Sequence, residues 1–164
     1  MDELEPSVER PDLILILDTN IWLDWLVFKD SATTKLVAAH QTGQVRILAG
    51  PQARDEFADV ITRDKFGLDM AAQAACLTQF DQLARIVPPA PEHQATSLPS
   101  LLCTDPDDQQ FLDLAIQTGA DYLLSKDKAL LKLARRARRD YRFDIVTLAT
   151  WNAGQRIMPR PATV

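Results

Sequence analysis

Short apolar runs alternate with stretches of helical periodicity along this chain. The clearest run, residues 13–17 (LILIL), lacks polar alternation and predicts a strand over about 12–17 that is buried on both faces. Comparable runs predict further strands over 45–48, 85–87, 122–124 and 144–148. Helical spacing and capping residues predict helices over 21–28, 31–41, 52–64, 69–84, the segment between Asp105 and Gly119, 128–138, and a short stretch after the last strand.

This alternation of strands and helices predicts an α/β fold, a three-layer sandwich around a central, mostly parallel sheet of about five strands. We expect a flexible N-terminal tail over 1–11, a single domain over 12–155 and a C-terminal tail over 156–164. The connection over 88–104 contains four prolines, and long connections of this kind often border a functional site.

Charge is distributed unevenly along the chain. Eighteen basic and 23 acidic residues give a net charge of −5, which argues against indiscriminate binding to nucleic acid or anionic membranes. Residues 126–142, however, hold eight basic residues and two acids, so they carry +6 and the rest of the chain carries −11. The acidic first residues, and the lack of an apolar run long enough to span a membrane, lead us to expect a cytoplasmic protein.

Two aspartates directly follow predicted strands. Asp18 ends the first strand, and Asp127 follows the strand at 122–124 after a two-residue turn. Both positions also suit a helix N-cap, so capping and ligand binding stay open for each. The carboxyl ends of parallel strands lie at one sheet edge, where open α/β folds bind their ligands. Two carboxylates repel one another there, and a bound cation would relieve that repulsion.

Further acids lie on predicted helices. Asp105 and Asp108 fall in an acidic helix start, where the helix dipole favours negative charge. Asp108 also begins the apolar stripe of that helix, so its side chain is expected to point toward the sheet, whereas Asp105 is expected to cap or to support. Glu56 belongs to an acidic group over 55–59 that is most simply a solvated face, although Glu56 itself can face inward.

A cluster of carboxylates suits Mg²⁺ or Mn²⁺, which prefer oxygen ligands. The two histidines and two cysteines follow no zinc spacing, and two cysteines do not make a disulfide framework. The glycines are scattered singly, so the chain has no Gly-rich phosphate loop. Chemistry at a cation bound by carboxylates is therefore the favoured interpretation.

Four segments in matching order resemble the motifs of the PIN-domain family, and the resemblance extends over about residues 12–152. They are 15–21 with Asp18, 54–61 with Glu56, 105–115 with Asp108, and 123–127 with Asp127. The resemblance implies that these four acids are the catalytic and metal-binding residues, supported by Asn20, Ser125 and Asp105. One departure is Lys126, a cation placed directly before Asp127, which can compete with the metal or contact phosphate.

The family resemblance implies an Mg²⁺- or Mn²⁺-dependent endoribonuclease that hydrolyses RNA phosphodiester bonds with an activated water. Glu56 would bind the metal or orient that water. The resemblance further implies the toxin of a type II toxin–antitoxin pair, with an antitoxin partner and a homodimeric state. The alternatives are a non-toxin PIN nuclease of RNA processing, a haloacid-dehalogenase-like phosphatase, which expects an acid where Asn20 stands, and a catalytically silent interaction module.

Two further features bear on partners. The basic run at 135–139 is either a solvated helix end or part of a track for RNA phosphates. The residues of that track would be Lys126, Lys128, Arg135 and Arg136. The first helix carries three large apolar side chains that can serve dimer formation: Trp22, Trp25 and Phe28. Core packing accounts better for Trp22.

Overall fold

The structure, a computed structural model, describes residues 12–90 and 101–153. The predicted tails over 1–11 and 156–164, and the central part of the proline-rich connection, lie outside the described residues. The strands are β1 (Leu13–Leu17), β2 (Val45–Ala49), β3 (Ala84–Ile86), β4 (Tyr122–Leu124) and β5 (Asp144–Val146). Each lies on or within a residue or two of a run that the apolar pattern predicts as a strand.

The α-helices are α1 (Thr19–Leu26), α2 (Thr34–Gln41), α3 (Pro51–Val60), α4 (Met70–Leu83), α5 (Gln109–Thr118), α6 (Lys128–Leu131), α7 (Ala134–Arg136) and α8 (Leu148–Asn152). Short turns of 3₁₀ helix occupy Ser31–Thr33, Asp64–Phe66 and Pro106–Asp108. Helix α5 ends at Gly119, which adopts a left-handed conformation with φ of 63°, as glycine does at many helix ends. None of the described helices has the length and hydrophobicity needed to cross a membrane.

All neighbouring strands pair in parallel, in the order β3-β2-β1-β4-β5. The first three strands therefore extend the sheet in one direction, and the last two extend it in the other. The order reverses between β1 and β4, where Leu17 pairs with Leu124. In open parallel sheets such a switch point opens a crevice at the carboxyl ends of the strands.

Helices cover both faces of the sheet, which confirms the predicted three-layer α/β sandwich. Side chains alternate along β1, so that Leu15 and Leu17 enter one apolar core while Ile16 enters the other. The first core contains Trp22, which is buried against Phe80 with ring centroids 4.2 Å apart. Core packing is thus confirmed for Trp22. By contrast, Phe28 at the end of the same helical segment is 57% exposed.

The single helix predicted over 128–138 is wrong. Two short helices, α6 and α7, are followed there by a π-helical turn over Ala137–Tyr141. Ala137 is buried in the second core, while its neighbour Arg138 pairs with Asp144 on β5 at 2.6 Å. These tertiary contacts are not visible in the local sequence, which contains no glycine or proline in that stretch.

Candidate metal centre

The acids predicted from strand ends meet at the switch point of the sheet. Asp18 directly follows β1, and Ser125 directly follows β4. The backbone N–H of Asp18 donates to the carbonyl of Leu124 at 3.0 Å, which continues the ladder between the two strands. Parallel pairing therefore brings residues that are 107 positions apart in the chain into contact.

Asp18 is buried, and its carboxylate is oriented by Ser125. The Ser125 hydroxyl donates to Oδ2 of Asp18 at 2.7 Å and accepts from the backbone N–H of Asp127 at 2.9 Å. Although Asp18 occupies the N-cap position of α1, its side chain makes no capping hydrogen bond to that described helix. Burial raises the pKa of Asp18, the Ser125 hydrogen bond opposes this, and the charge of Asp127 adds to it. Hydrogen bonds from the backbone of Thr19 and Asn20 also lower the pKa of Asp18, and its role as a ligand stays a prediction.

Asp127 does cap a helix. Its Oδ1 accepts from the backbone N–H of Ala129 at 2.8 Å, at the start of α6. The hydrogen bond with Asp108 lowers the pKa of Asp127, and the Ala129 hydrogen bond acts in the same direction. The capping bond engages Oδ1 only, and a carboxylate has a second oxygen, so capping and ligand binding are compatible here.

Three carboxylates converge closely: one oxygen from each of Asp105, Asp108 and Asp127 lies within 4.8 Å of the others. Asp108 is 8% exposed, and its buried Oδ2 receives no hydrogen bond from any donor in the described residues. Burial raises the pKa of Asp108 to about 8, the hydrogen bond with Asp127 acts in the same direction, and the charges of Asp18, Asp127 and Asp105 add to the shift. A buried acceptor without a donor, among other acids, fits a divalent cation with oxygen ligands.

Asp105, expected as a cap or supporting residue, is placed for both tasks. Its carboxylate accepts from the backbone N–H of Asp107 at 3.0 Å and so opens the 3₁₀ turn before α5. Its carboxylate also belongs to the three-carboxylate group, and its support of a bound metal stays a prediction.

Glu56 lies beside this cluster and turns inward, unlike its neighbour Asp55, which is exposed. Oε2 of Glu56 accepts from the Thr19 hydroxyl at 3.0 Å and from the Gln110 side-chain amide at 3.1 Å. Burial raises the pKa of Glu56, the Thr19 hydrogen bond opposes the shift, and the charge of Asp18 contributes to it. Of the acidic group over 55–59, Glu56 is thus the member with hydrogen-bond partners at the sheet edge.

Sequence reasoning missed two residues of this region, Gln110 and Asp24. Gln110 follows Asp108 by two positions and, through its amide, links α5 to Glu56 on α3. Asp24 lies on α1, is 5% exposed, and forms an ion pair with Lys126. No local signal distinguishes either residue, because both acquire their partners from distant segments. Asn20, predicted in support of the site, is exposed.

The basic segment divides into paired and unpaired residues. Arg138 contacts Asp144, and Arg139 contacts Asp140 at 2.8 Å. The four side chains predicted to contact RNA phosphates are all exposed: Lys126, Lys128, Arg135 and Arg136. Lys126 pairs with Asp24, and the other three enter none of the ion pairs found among the described residues. Their contact with RNA stays a prediction.

Comparison with known proteins agrees with this architecture. The family model described as PIN domain matches residues 15–129, a range that contains Asp18, Glu56, Asp108 and Asp127. One similar solved structure is the crystal structure of VapBC2 from Rickettsia felis bound to a DNA fragment from their promoter. That match has a TM-score of 0.57 and 13% sequence identity, and it covers 82% of this chain and 98% of the other. A search of curated proteins found no match.

Proposed function

This chain belongs to the PIN domain family, and from that premise we propose that it is a metal-dependent endoribonuclease that hydrolyses RNA phosphodiester bonds. The main support is the buried Oδ2 of Asp108, which lacks a hydrogen-bond donor in the described residues and faces other acids. Leaving a buried acceptor unpaired is costly, and a cation removes that cost.

The proposed ligands of Mg²⁺ or Mn²⁺ are Asp18, Asp108 and Asp127, with Glu56 as a fourth acid and Asp105 beside them. A bound divalent cation would lower the pKa of a water and neutralise charge that develops on the phosphate. Ser125 keeps the Asp18 carboxylate at the strand end by donating to it. This hydrogen bond already restricts the rotation of the Asp18 side chain, so less conformational entropy would be lost when a metal binds.

Glu56 has a separate proposed task, the removal of a proton from the attacking water. Its carboxylate is oriented by two donors, the Thr19 hydroxyl and the Gln110 amide. Its raised pKa, caused first by burial, makes this carboxylate a better proton acceptor than that of an exposed glutamate. A positioned base of this kind contributes typically about 10²–10⁴-fold to a rate.

We propose that RNA approaches along the exposed cations after β4. Lys128, Arg135 and Arg136 lie on or beside α6 and α7, which follow Asp127 directly in the chain. A local positive segment on a protein of net charge −5 would guide phosphates toward the acids without binding nucleic acid everywhere.

We further propose that the chain is the toxin of a toxin–antitoxin pair, acts in the cytoplasm and forms homodimers. The likeness of its fold to a chain of the VapBC2 structure supports the first point. Phe28, which is 57% exposed and whose ring centroid lies 5.8 Å from that of Phe66, supports an apolar contact surface. A cognate antitoxin would be sought in the adjacent reading frame, and an unrelated neighbour would favour a role in RNA processing.

The deciding experiment compares Asp18→Asn with the wild type in Mn²⁺-dependent cleavage of a labelled RNA. Asparagine keeps the shape of Asp18 and still accepts from Ser125, so we expect an unchanged circular dichroism spectrum and no cleavage. The matched control is Asp55→Asn, which removes one exposed charge and should cleave normally. Full cleavage by purified Asp18→Asn would refute the metal assignment. A wild type that neither binds Mn²⁺ nor cleaves would favour the interaction module.

A further inference from the structure

Asp24 is a buried acid outside the proposed set of metal ligands. Its side chain is only 7% exposed, and it forms an ion pair with Lys126, whose side chain is 50% exposed. A carboxylate buried to this degree is rarely retained without a compensating charge. The pair joins α1 to the loop between β4 and α6, two segments that are far apart in sequence.

Lys126 lies directly between two residues of the metal centre. Ser125 on one side bonds Asp18, and Asp127 on the other side belongs to the three-carboxylate group. Lysine has a flexible four-carbon stem and a compact charge with three donors, so its ammonium can adopt several positions around its own backbone. Among carboxylates without a metal, an ammonium is an alternative counter-ion.

We propose that Asp24 is a positioning residue that holds the Lys126 ammonium away from the metal centre and thereby keeps the carboxylates available for a divalent cation. This inference rests on the proposed metal-dependent function. Because the Asp24 carboxylate is buried, water cannot stabilise its charge as it would at the surface, and the ion pair with Lys126 is strongly favoured. Lys126 is consequently kept on the α1 side of the loop instead of pairing with Asp18 or Asp127.

The test is the affinity for Mn²⁺ measured by titration calorimetry on the full chain. Asp24→Asn keeps the size of the side chain but releases Lys126, and we expect binding to be weaker by about tenfold or more because a cation now competes for the same carboxylates. The double variant Asp24→Asn/Lys126→Met removes both charges and keeps the lysine stem. It should bind Mn²⁺ at least as tightly as the wild type.

A control variant separates this effect from the general loss of an acid. Asp144→Asn breaks a different ion pair, with Arg138, at the amino end of β5 and therefore at the opposite edge of the sheet. It changes the net charge by the same amount, and we expect Mn²⁺ affinity within about twofold of the wild type because Asp144 lies at the other end of its strand and brings no ammonium to the carboxylates.

Recovery of Mn²⁺ affinity in the double variant is the decisive result. If the ion pair served only the stability of the fold, the double variant would bind Mn²⁺ as weakly as Asp24→Asn or more weakly. Unchanged affinity in Asp24→Asn, or failure of the rescue, overturns the inference. If Asp24→Asn does not fold, the double variant must still equal the wild type, and weaker binding counts against the proposal. A wild type that does not bind Mn²⁺ would overturn the proposed function as well, whereas tight wild-type binding with unaffected variants would overturn this inference alone.

Discussion

Replacing Asp108 by asparagine should stabilise the metal-free protein at pH 8 while removing its affinity for Mn²⁺. The pKa of Asp108 is raised from 3.8 to about 8, first by burial. The folded state therefore holds a proton on Asp108 that the unfolded chain releases. Its contribution to stability is fully present below pH 3.8 and is lost as the pH rises through about 8.

The structure limits the size of this effect. Between a pKa of 3.8 and one of about 8, the linkage relation allows a loss of up to roughly 6 kcal/mol, at about 1.4 kcal/mol per pH unit. Local relaxation and solvent at the mouth of the sheet screen the group, so we expect about 2–3 kcal/mol between pH 5 and pH 8, or roughly 5–10 °C in Tm. The lowered pKa of Asp127 affects stability only below its ordinary value of 3.8, outside this window.

Thermal denaturation of the metal-free protein at pH 5 and pH 8 measures the effect. Asparagine resembles the protonated aspartate, so Asp108→Asn should exceed the wild type at both pH values, by a small margin at pH 5 and by a larger one at pH 8. Asp113→Asn is the control: Asp113 is exposed on the same helix and accepts from Gln109 at 2.9 Å, which asparagine can also do. Adding Mn²⁺ at pH 8 should raise the Tm of the wild type and of the control, but not that of Asp108→Asn.

Two results would refute this reasoning. Equal stability of the wild type at pH 5 and pH 8 would show that Asp108 does not retain a proton in the folded state. A loss of stability in Asp108→Asn that is the same at both pH values would show that the carboxylate is needed for packing or hydrogen bonding instead. Either result would remove the electrostatic reason for a cation at this position.

Three further predictions concern the site and its surroundings. Ser125→Ala should lower the free energy of unfolding by about 1–3 kcal/mol and weaken Mn²⁺ binding by roughly 10–100-fold, and calorimetry showing unchanged affinity would contradict the orienting role. Glu56→Gln should reduce RNA cleavage by at least about 10²-fold with little change in Tm, whereas Asp55→Asn should cleave normally, and equal rates for both would exclude Glu56 as the base. Arg135→Gln/Arg136→Gln should lower the slope of log affinity for single-stranded RNA against log salt by roughly one to one and a half, and an unchanged slope would place the RNA elsewhere.

The strands and the strand-end acids were predictable because their signals are local. A buried parallel strand requires a continuous apolar run, and the residue that follows it lies at the sheet edge whatever the order of the strands. Asp18 and Asp127 are therefore candidates from the sequence alone. The helix over 128–138 was mispredicted because its interruption depends on Ala137 entering the second core and Arg138 reaching β5.

The roles of individual oxygens could not be read from the sequence, since capping and ligand positions coincide at a strand end followed by a helix. Asp18 and Asp127 occupy equivalent places, yet only Asp127 makes a capping hydrogen bond in the described helices. Thr19, which follows Asp18 directly, donates its hydroxyl to Glu56. Asp18 differs from Asp127 because its carboxylate accepts from the Ser125 hydroxyl across the β1–β4 pair.

The alternation of strands and helices, the family resemblance and the order of the four acids can all be read from the amino-acid sequence. The pairing of β4 with β1 cannot, because buried parallel strands all present the same apolar pattern and none specifies its neighbour. That one pairing brings Ser125 to Asp18 and Asp127 to Asp108, and it places Lys126 against Asp24. Local chemistry thus supplied the candidate ligands, while long-range pairing decided which carboxylates lie close together.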